Sequence, residues 1–157
     1  MKRRVRSPLD ARAQEIYVQD LQANFVERDR LFAKLFVAQW IFAVVFALWW
    51  SPRAWQGRES TLHPHVVYAP VVGALLTLPP IAFIVRWPGA TVTRHFIAVC
   101  QMLWSALLIH LTGGRIESHF HIFGSLAFIA YYRDWRLLLT ATAAVVAWLG
   151  LSNPLLW

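Results

Sequence analysis

The sequence predicts an all-α integral membrane protein: about five transmembrane helices behind an amphipathic surface helix, with the N-terminus cytoplasmic. Three observations lead there. Of 157 residues, 58% are hydrophobic and 15% charged, where a soluble domain carries about 25% charge. The apolar excess is gathered into runs near the roughly 20 residues that a helix needs to cross a bilayer. Basic residues and tryptophans stand around those runs as membrane topology requires.

Taken in order, residues 1–30 form a cytoplasmic segment and residues 31–157 the transmembrane bundle. Ser7, Pro8 and Asp10 read as an N-cap, a first-turn proline and a first-turn acid. Leu9, Ile16, Leu21 and Phe25 recur at near-helical spacing among charged residues. They predict an amphipathic helix that lies on the cytoplasmic surface or docks on a partner subunit. Residues 31–50 (LFAKLFVAQWIFAVVFALWW) are the first crossing, with Lys34 close enough to its end to snorkel. Residues 66–87 are the second, and Pro70, Pro79 and Pro80 predict kinks in it. Residues 92–111 are the third. Residues 116–132 are the fourth, shorter and more polar at the start, and residues 137–151 are the fifth, just long enough. The short connections predict that neighbouring helices pack side by side.

The charges test this threading. Eight Lys or Arg stand at or before Lys34, Arg86 and Arg94 flank the second connection, and Arg133 and Arg136 lie in the fourth. Only Arg53, Arg58 and Arg115 fall in the first and third. That bias puts the N-terminus inside and, after five crossings, the C-terminus outside. Trp49, Trp50 and Trp55 fall at the outer boundary, Trp87 and Trp135 at the inner one. Trp40, Trp104 and Trp148 lie deeper and are expected to pack between helices or against neighbouring subunits. A net charge of +7 and a pI near 10.5 would suit nucleic acid, but the basic residues border apolar runs instead of forming a face with interleaved aromatics. A nucleic-acid partner is therefore not expected, and lipid is. The single cysteine, Cys100, lies within an apolar run, so no disulfide framework is possible. The first apolar run has full spanning length and no small-residue cleavage site after it, unlike a secretory signal.

Reactive side chains are dense in one place, near the third connection: His110, Thr112, Gly113, Gly114, Arg115, Glu117, His119 and His121. Paired glycines permit a tight reversal, so His110 is expected to approach Glu117, His119 and His121. On a helix Glu117 and His121 share a face, whereas His119 and His121, two apart, diverge. His110, Glu117, His119 and His121 are thus the candidate metal ligands, for a transition metal or a haem. A polar interhelical hydrogen-bond network and pH sensing are the alternatives. His95 lies about 22 Å along the axis from His110, too far to share an ion. It is a candidate contact for a loop, a headgroup or a partner's pigment.

No Walker-type glycine loop, HExxH, CxxC or serine–histidine–carboxylate arrangement occurs. The chain is therefore expected not to be an enzyme on its own. A transporter is also a poor fit, since neither an inverted repeat nor a matched pair of broken helices is legible.

From Thr93 to Thr142 the chain resembles the membrane-embedded input region of bacterial sensory proteins, among them hybrid sensor histidine kinases and chemotaxis-receptor-like proteins. Arg94-His95, Leu111-Thr112-Gly113-Gly114-Arg115-Ile116-Glu117, His119-Phe120-His121 and Tyr132-Arg133-Asp134-Trp135-Arg136 carry the resemblance. It covers about fifty residues closely and the two preceding helices loosely. The resemblance implies a multi-pass protein of a bacterial inner membrane, cytoplasmic or intracytoplasmic. In such relatives the membrane region runs into a further helix and a cytoplasmic signalling module; this sequence stops at Trp157. The expectation is a non-catalytic accessory subunit packed within a larger membrane complex, photosynthetic or respiratory. The alternative is a metal- or haem-binding sensory module that signals through a separate partner.

Overall fold

The computed structural model describes residues 8–50, 53–56, 59–62 and 65–152. Five helices follow in order: α1 (Pro8–Trp50), α2 (His65–Arg86), α3 (Thr91–Leu111), α4 (Ile116–Ala130) and α5 (Trp135–Ser152). Between α1 and α2 an antiparallel hairpin pairs β1 (Arg53–Gln56) with β2 (Glu59–Leu62), Arg53 opposite Leu62 and Gln56 opposite Glu59. The sequence reading left this stretch as a plain connection. The expected cap at Ser7 and the tail at Trp157 lie outside the described residues.

α1 is one helix of 43 residues, about 65 Å long, where the sequence predicted a surface helix and a separate crossing that met near residue 30. Physical cause is easy to find: the junction Glu27-Arg28-Asp29-Arg30 holds neither Gly nor Pro, so nothing interrupts the hydrogen-bond ladder. Leu9 and residues 11–24 are exposed, and contact with the bundle begins at Gln22, which lies over Gly89.

Three helices are long and apolar enough to cross a membrane: α1, α2 and α3. α5 is apolar but shorter. α4 has 15 residues, about 22 Å, which falls short of a hydrocarbon core of about 30 Å.

α3 is the centre. Of its apolar window 72% is buried, against 28% in those of α1 and α2. α1 and α2 pack against each other and against it, and so do α4 and α5. Phe32, Phe36 and Ala43 of α1 meet Ala69 and Ile84 of α2, Ile97, Trp104 and Leu108 of α3, Ile129 of α4 and Leu137 of α5 in one core. α2 stays helical through Pro70, Pro79 and Pro80, and the Pro70 carbonyl accepts the indole N–H of Trp40 at 3.2 Å. Gly73 lets this corner close. A Cβ there would lie 2.6 Å from Trp40 Cδ1 and 3.1 Å from Trp104 Cη2. Three helices meet at that one missing side chain.

The turn between α3 and α4 is built as the glycine pair predicted. Gly113 and Gly114 have φ of 71° and 73°, and their amides return to the carbonyls of His110 and Ile109, closing the helix end.

Gly73→Ala is expected to lower stability by about 1–3 kcal/mol through overpacking against two rigid indoles. Thermal unfolding in detergent checks this; an unchanged midpoint would mean that Trp40 and Trp104 do not meet over Gly73.

Candidate functional site

Two polar assemblies interrupt the apolar core. The first stands at the end where α2 turns into α3 and α4 into α5. Asp29 of α1 is fully buried, which an unpaired carboxylate could not tolerate. Its Oδ2 accepts the Gly89 amide at 2.7 Å and its Oδ1 the Tyr132 hydroxyl at 2.6 Å. Gly89 has φ of 72° and is overlaid by Gln22 and Val26 of α1. Arg28 donates to the Tyr132 carbonyl at 2.9 Å and lies 4.9 Å over the Tyr131 ring. Arg94 of α3 sits 3.8 Å over the Phe25 ring and 3.5 Å from Asp134. Burial, and then the Asp29 carboxylate, push the Tyr132 phenol well above its ordinary range, so the hydroxyl stays protonated and donates.

The second assembly lies within the bundle. Gln101 and Ser105 are four apart on α3, His121 and Ser125 four apart on α4, and the two pairs face each other. Ser105 Oγ is 2.9 Å from His121 Nδ1 and 3.1 Å from Ser125 Oγ. Gln101 Nε2 donates to Ser125 Oγ at 2.9 Å. Gln39 of α1 reaches His121 Nε2 at 3.4 Å. Three buried atoms around this assembly and its neighbour Trp104 have no hydrogen-bond partner among the described residues: Gln39 Oε1, Gln101 Oε1 and Trp104 Nε1.

The candidate ligands separate. His121 points inward, as above. His119 turns back to the Arg115 carbonyl at 3.0 Å on its own helix, the divergence that two-residue spacing predicted. His110 and Glu117 are exposed. Among the described residues no three His, Cys, Asp or Glu side chains gather where they could hold a metal ion. His95 meets Thr140 of α5 at 2.8 Å through Nδ1. The Thr140 hydroxyl donates to the Arg136 carbonyl, so His95 Nδ1–H supplies the proton between them.

Of the expected contact residues, Trp104 is wholly buried and Trp40 partly; Trp148 is half-buried on α5. Leu9, Ile16 and Leu21 are exposed, and Phe25 carries the Arg94 guanidinium. Asp29, Gln39, Gln101 and Ser105 went unread in the sequence. The i,i+4 polar pair on α3 was a signal for part of this set.

With this geometry in hand, comparison with known proteins adds one partial likeness. The transducer protein Htr8 of Halobacterium salinarum is 38% identical over 65 residues, 41% of this chain and 10% of that protein. The chain thus matches about a tenth of the length of that relative. No family model matches, and no solved structure does. The likeness is a distant one to a sensory receptor.

Tyr132→Phe removes a hydrogen bond to a buried carboxylate, worth about 1.5–3 kcal/mol. Ser105→Ala removes an interhelical bond of the kind worth about 0.6 kcal/mol in membranes. Denaturant unfolding in micelles should therefore rank Tyr132→Phe clearly above Ser105→Ala, and the opposite order would displace Asp29 as the stronger tie.

Proposed function

We propose that the protein is a non-catalytic subunit that packs within a larger membrane assembly through α1 and the lipid-facing sides of its bundle. In this reading all five helices traverse the bilayer. The short α4 does so with local thinning or with support from a neighbour. The Asp29 end then faces the cytoplasm and the hairpin the opposite side. The host we favour is an energy-converting complex, photosynthetic or respiratory, of a bacterial inner membrane. That choice rests on analogy with assemblies that contain small helical subunits.

The observation that supports the subunit reading best is the free part of α1. Ile16, Tyr17 and Val18 are 48%, 65% and 56% exposed on a helix that extends past the bundle for about 20 Å over residues 9–21. Exposed apolar residues on such an arm are the ordinary mark of a covered surface. Extraction of native membranes in mild detergent should recover the protein with other subunits. Val18→Asp combined with Leu21→Asp should release it while leaving the bundle folded. Recovery of the unaltered protein solely as a free monomer would sink the reading.

The likeness to a transducer favours a second reading, a sensory input module whose output lies in a partner. A metal or haem held by His110, Glu117, His119 or His121 would be its ligand. Metal analysis separates the two: stoichiometric metal lost in His121→Ala or His110→Ala supports sensing, and metal-free protein with unchanged assembly supports the subunit.

Threading is testable on its own. In a Cys100→Ala background, single cysteines at Gln19 and Arg133 should label from one side of the membrane and one at Gly114 from the other. Labelling of Gln19 and Gly114 from the same side would reverse the assignment.

A further inference from the structure

We infer that the Asp29 end of the bundle seats the phosphates of anionic phospholipids on three arginines, Arg28, Arg86 and Arg136, each laid over an aromatic ring. These seats depend on the reading that the helices cross a bilayer, and on no particular protein partner.

The bonds of Asp29 set the level of this rim. Residue 29 meets Gly89 and Tyr132 directly, so the α2–α3 turn, the α4–α5 turn and residues 28–30 of α1 lie at one depth. Across residues 27–34, 86–94 and 131–136, seven Lys or Arg stand against Glu27, Asp29 and Asp134. Two of those acids are engaged: Asp29 by the bonds just named, and Asp134 by Arg94 at 3.5 Å. Among the described residues no carboxylate lies within ion-pair reach of Arg28, Arg86 or Arg136. Arg86 and Arg136 are exposed and Arg28 partly so. The opposite end carries Arg53, Arg58 and Arg115 against Glu59 and Glu117. The positive excess therefore belongs to one face of the membrane, where it attracts anionic headgroups.

Three of these arginines are held in a particular way. Arg86 lies 5.2 Å over the Trp87 ring, Arg136 5.9 Å over Trp135 and Arg28 4.9 Å over Tyr131. Stacking uses the flat face of a guanidinium and leaves the N–H donors around its edge. Arg28 spends one of its own on the Tyr132 carbonyl. Edge donors in one plane are what a phosphate accepts two at a time, and the ring restrains the long side chain before the phosphate arrives.

What lies beneath the arginines suits lipid and not free phosphate. Trp87, Trp135 and Tyr131 are themselves at least half exposed, as rings at headgroup level are. Below Trp87 runs an exposed apolar face of α2, through Val85, Leu78 and Val71; below Trp135 runs that of α5, through Leu139 and Val146. A phosphate on the arginine and acyl chains along the face beneath it are parts of one molecule. Inorganic phosphate meets only the first.

The test uses the full chain in phosphatidylcholine bilayers with a tracer of spin-labelled phosphatidylglycerol or spin-labelled phosphatidylcholine. Electron spin resonance measures the lipid restrained by the helices and the relative association of each label. The anionic label should associate roughly fivefold more strongly, about what one arginine near an anionic headgroup contributes. Arg86→Gln with Arg136→Gln should lower that ratio, and adding Arg28→Gln should bring it near unity. Lys at the same three positions keeps the charge but gives up the fork and the stack, so the ratio should fall there too. A preference retained in full by the Gln or the Lys variant overturns the inference. So does an equal loss in Arg53→Gln at the other end, or displacement of the anionic label by inorganic phosphate at matched ionic strength. Restrained lipid with no preference in the unaltered chain overturns it while sparing the membrane reading; no restrained lipid at all removes both.

Discussion

One buried carboxylate organises the end of the bundle where four helices turn. Asp29 has no exposed surface, so its presence there is affordable only because the Gly89 amide and the Tyr132 hydroxyl both point at it. Gly89 closes the α2–α3 turn and Tyr132 the α4–α5 turn; residue 29 belongs to α1. All five helices are therefore referred to a single pair of oxygens. Tyr132 also stacks on Phe32 at 5.2 Å between ring centres, which fixes the phenol for donation. Breaking a contact of this kind leaves a charge in an apolar place, so it specifies an arrangement as much as it stabilises one.

Around that anchor the helices are held unequally. α3 is enclosed along most of its length, and the α1–α2–α3 corner is aromatic and closed over Gly73. α4 is attached differently. Only Ser125 and Ile129 of its 15 residues are buried, and beside the apolar contacts of Ile122, Leu126 and Ile129 its ties to α3 and α1 run through hydroxyls, amides and an imidazole. In lipid, apolar faces gain nothing by leaving one neighbour for another, so close approach and polar bonds decide which helices associate. The tight corner follows the first rule and α4 the second.

These differences explain what the sequence disclosed. Apolar runs located α2, α3, α4 and α5 to within a few residues, and Gly113-Gly114 marked the reversal, because those signals are local. The two-residue spacing of His119 and His121 foretold their divergence. Long-range pairing was not legible: Asp29 and Tyr132 stand 103 residues apart, and nothing beside either names the other. Gln39 and Ser105 read as dilution of apolar runs until the facing helix supplied His121. The union of the surface helix with the first crossing was missed because polarity changes near residue 30 while helix propensity does not. The hairpin went unread although Gly57 lies between two short polar stretches, a two-residue turn signal too weak to outweigh the flanking apolar runs.

The arm of α1 and the ties of α4 are linked by the same helix. Apolar side chains such as Ile16, Val18 and Leu21 in water forgo about 25 cal/mol for each Å² a partner could cover. A covering partner gains that energy and, in doing so, fixes the direction of α1. Because α1 carries Asp29 and Gln39, a fixed arm also fixes the two places where α1 meets the α4–α5 half. By linkage the coupling runs both ways: whatever shifts α1 at Asp29 or Gln39 alters, by the same free energy, how well the arm fits the partner proposed for it.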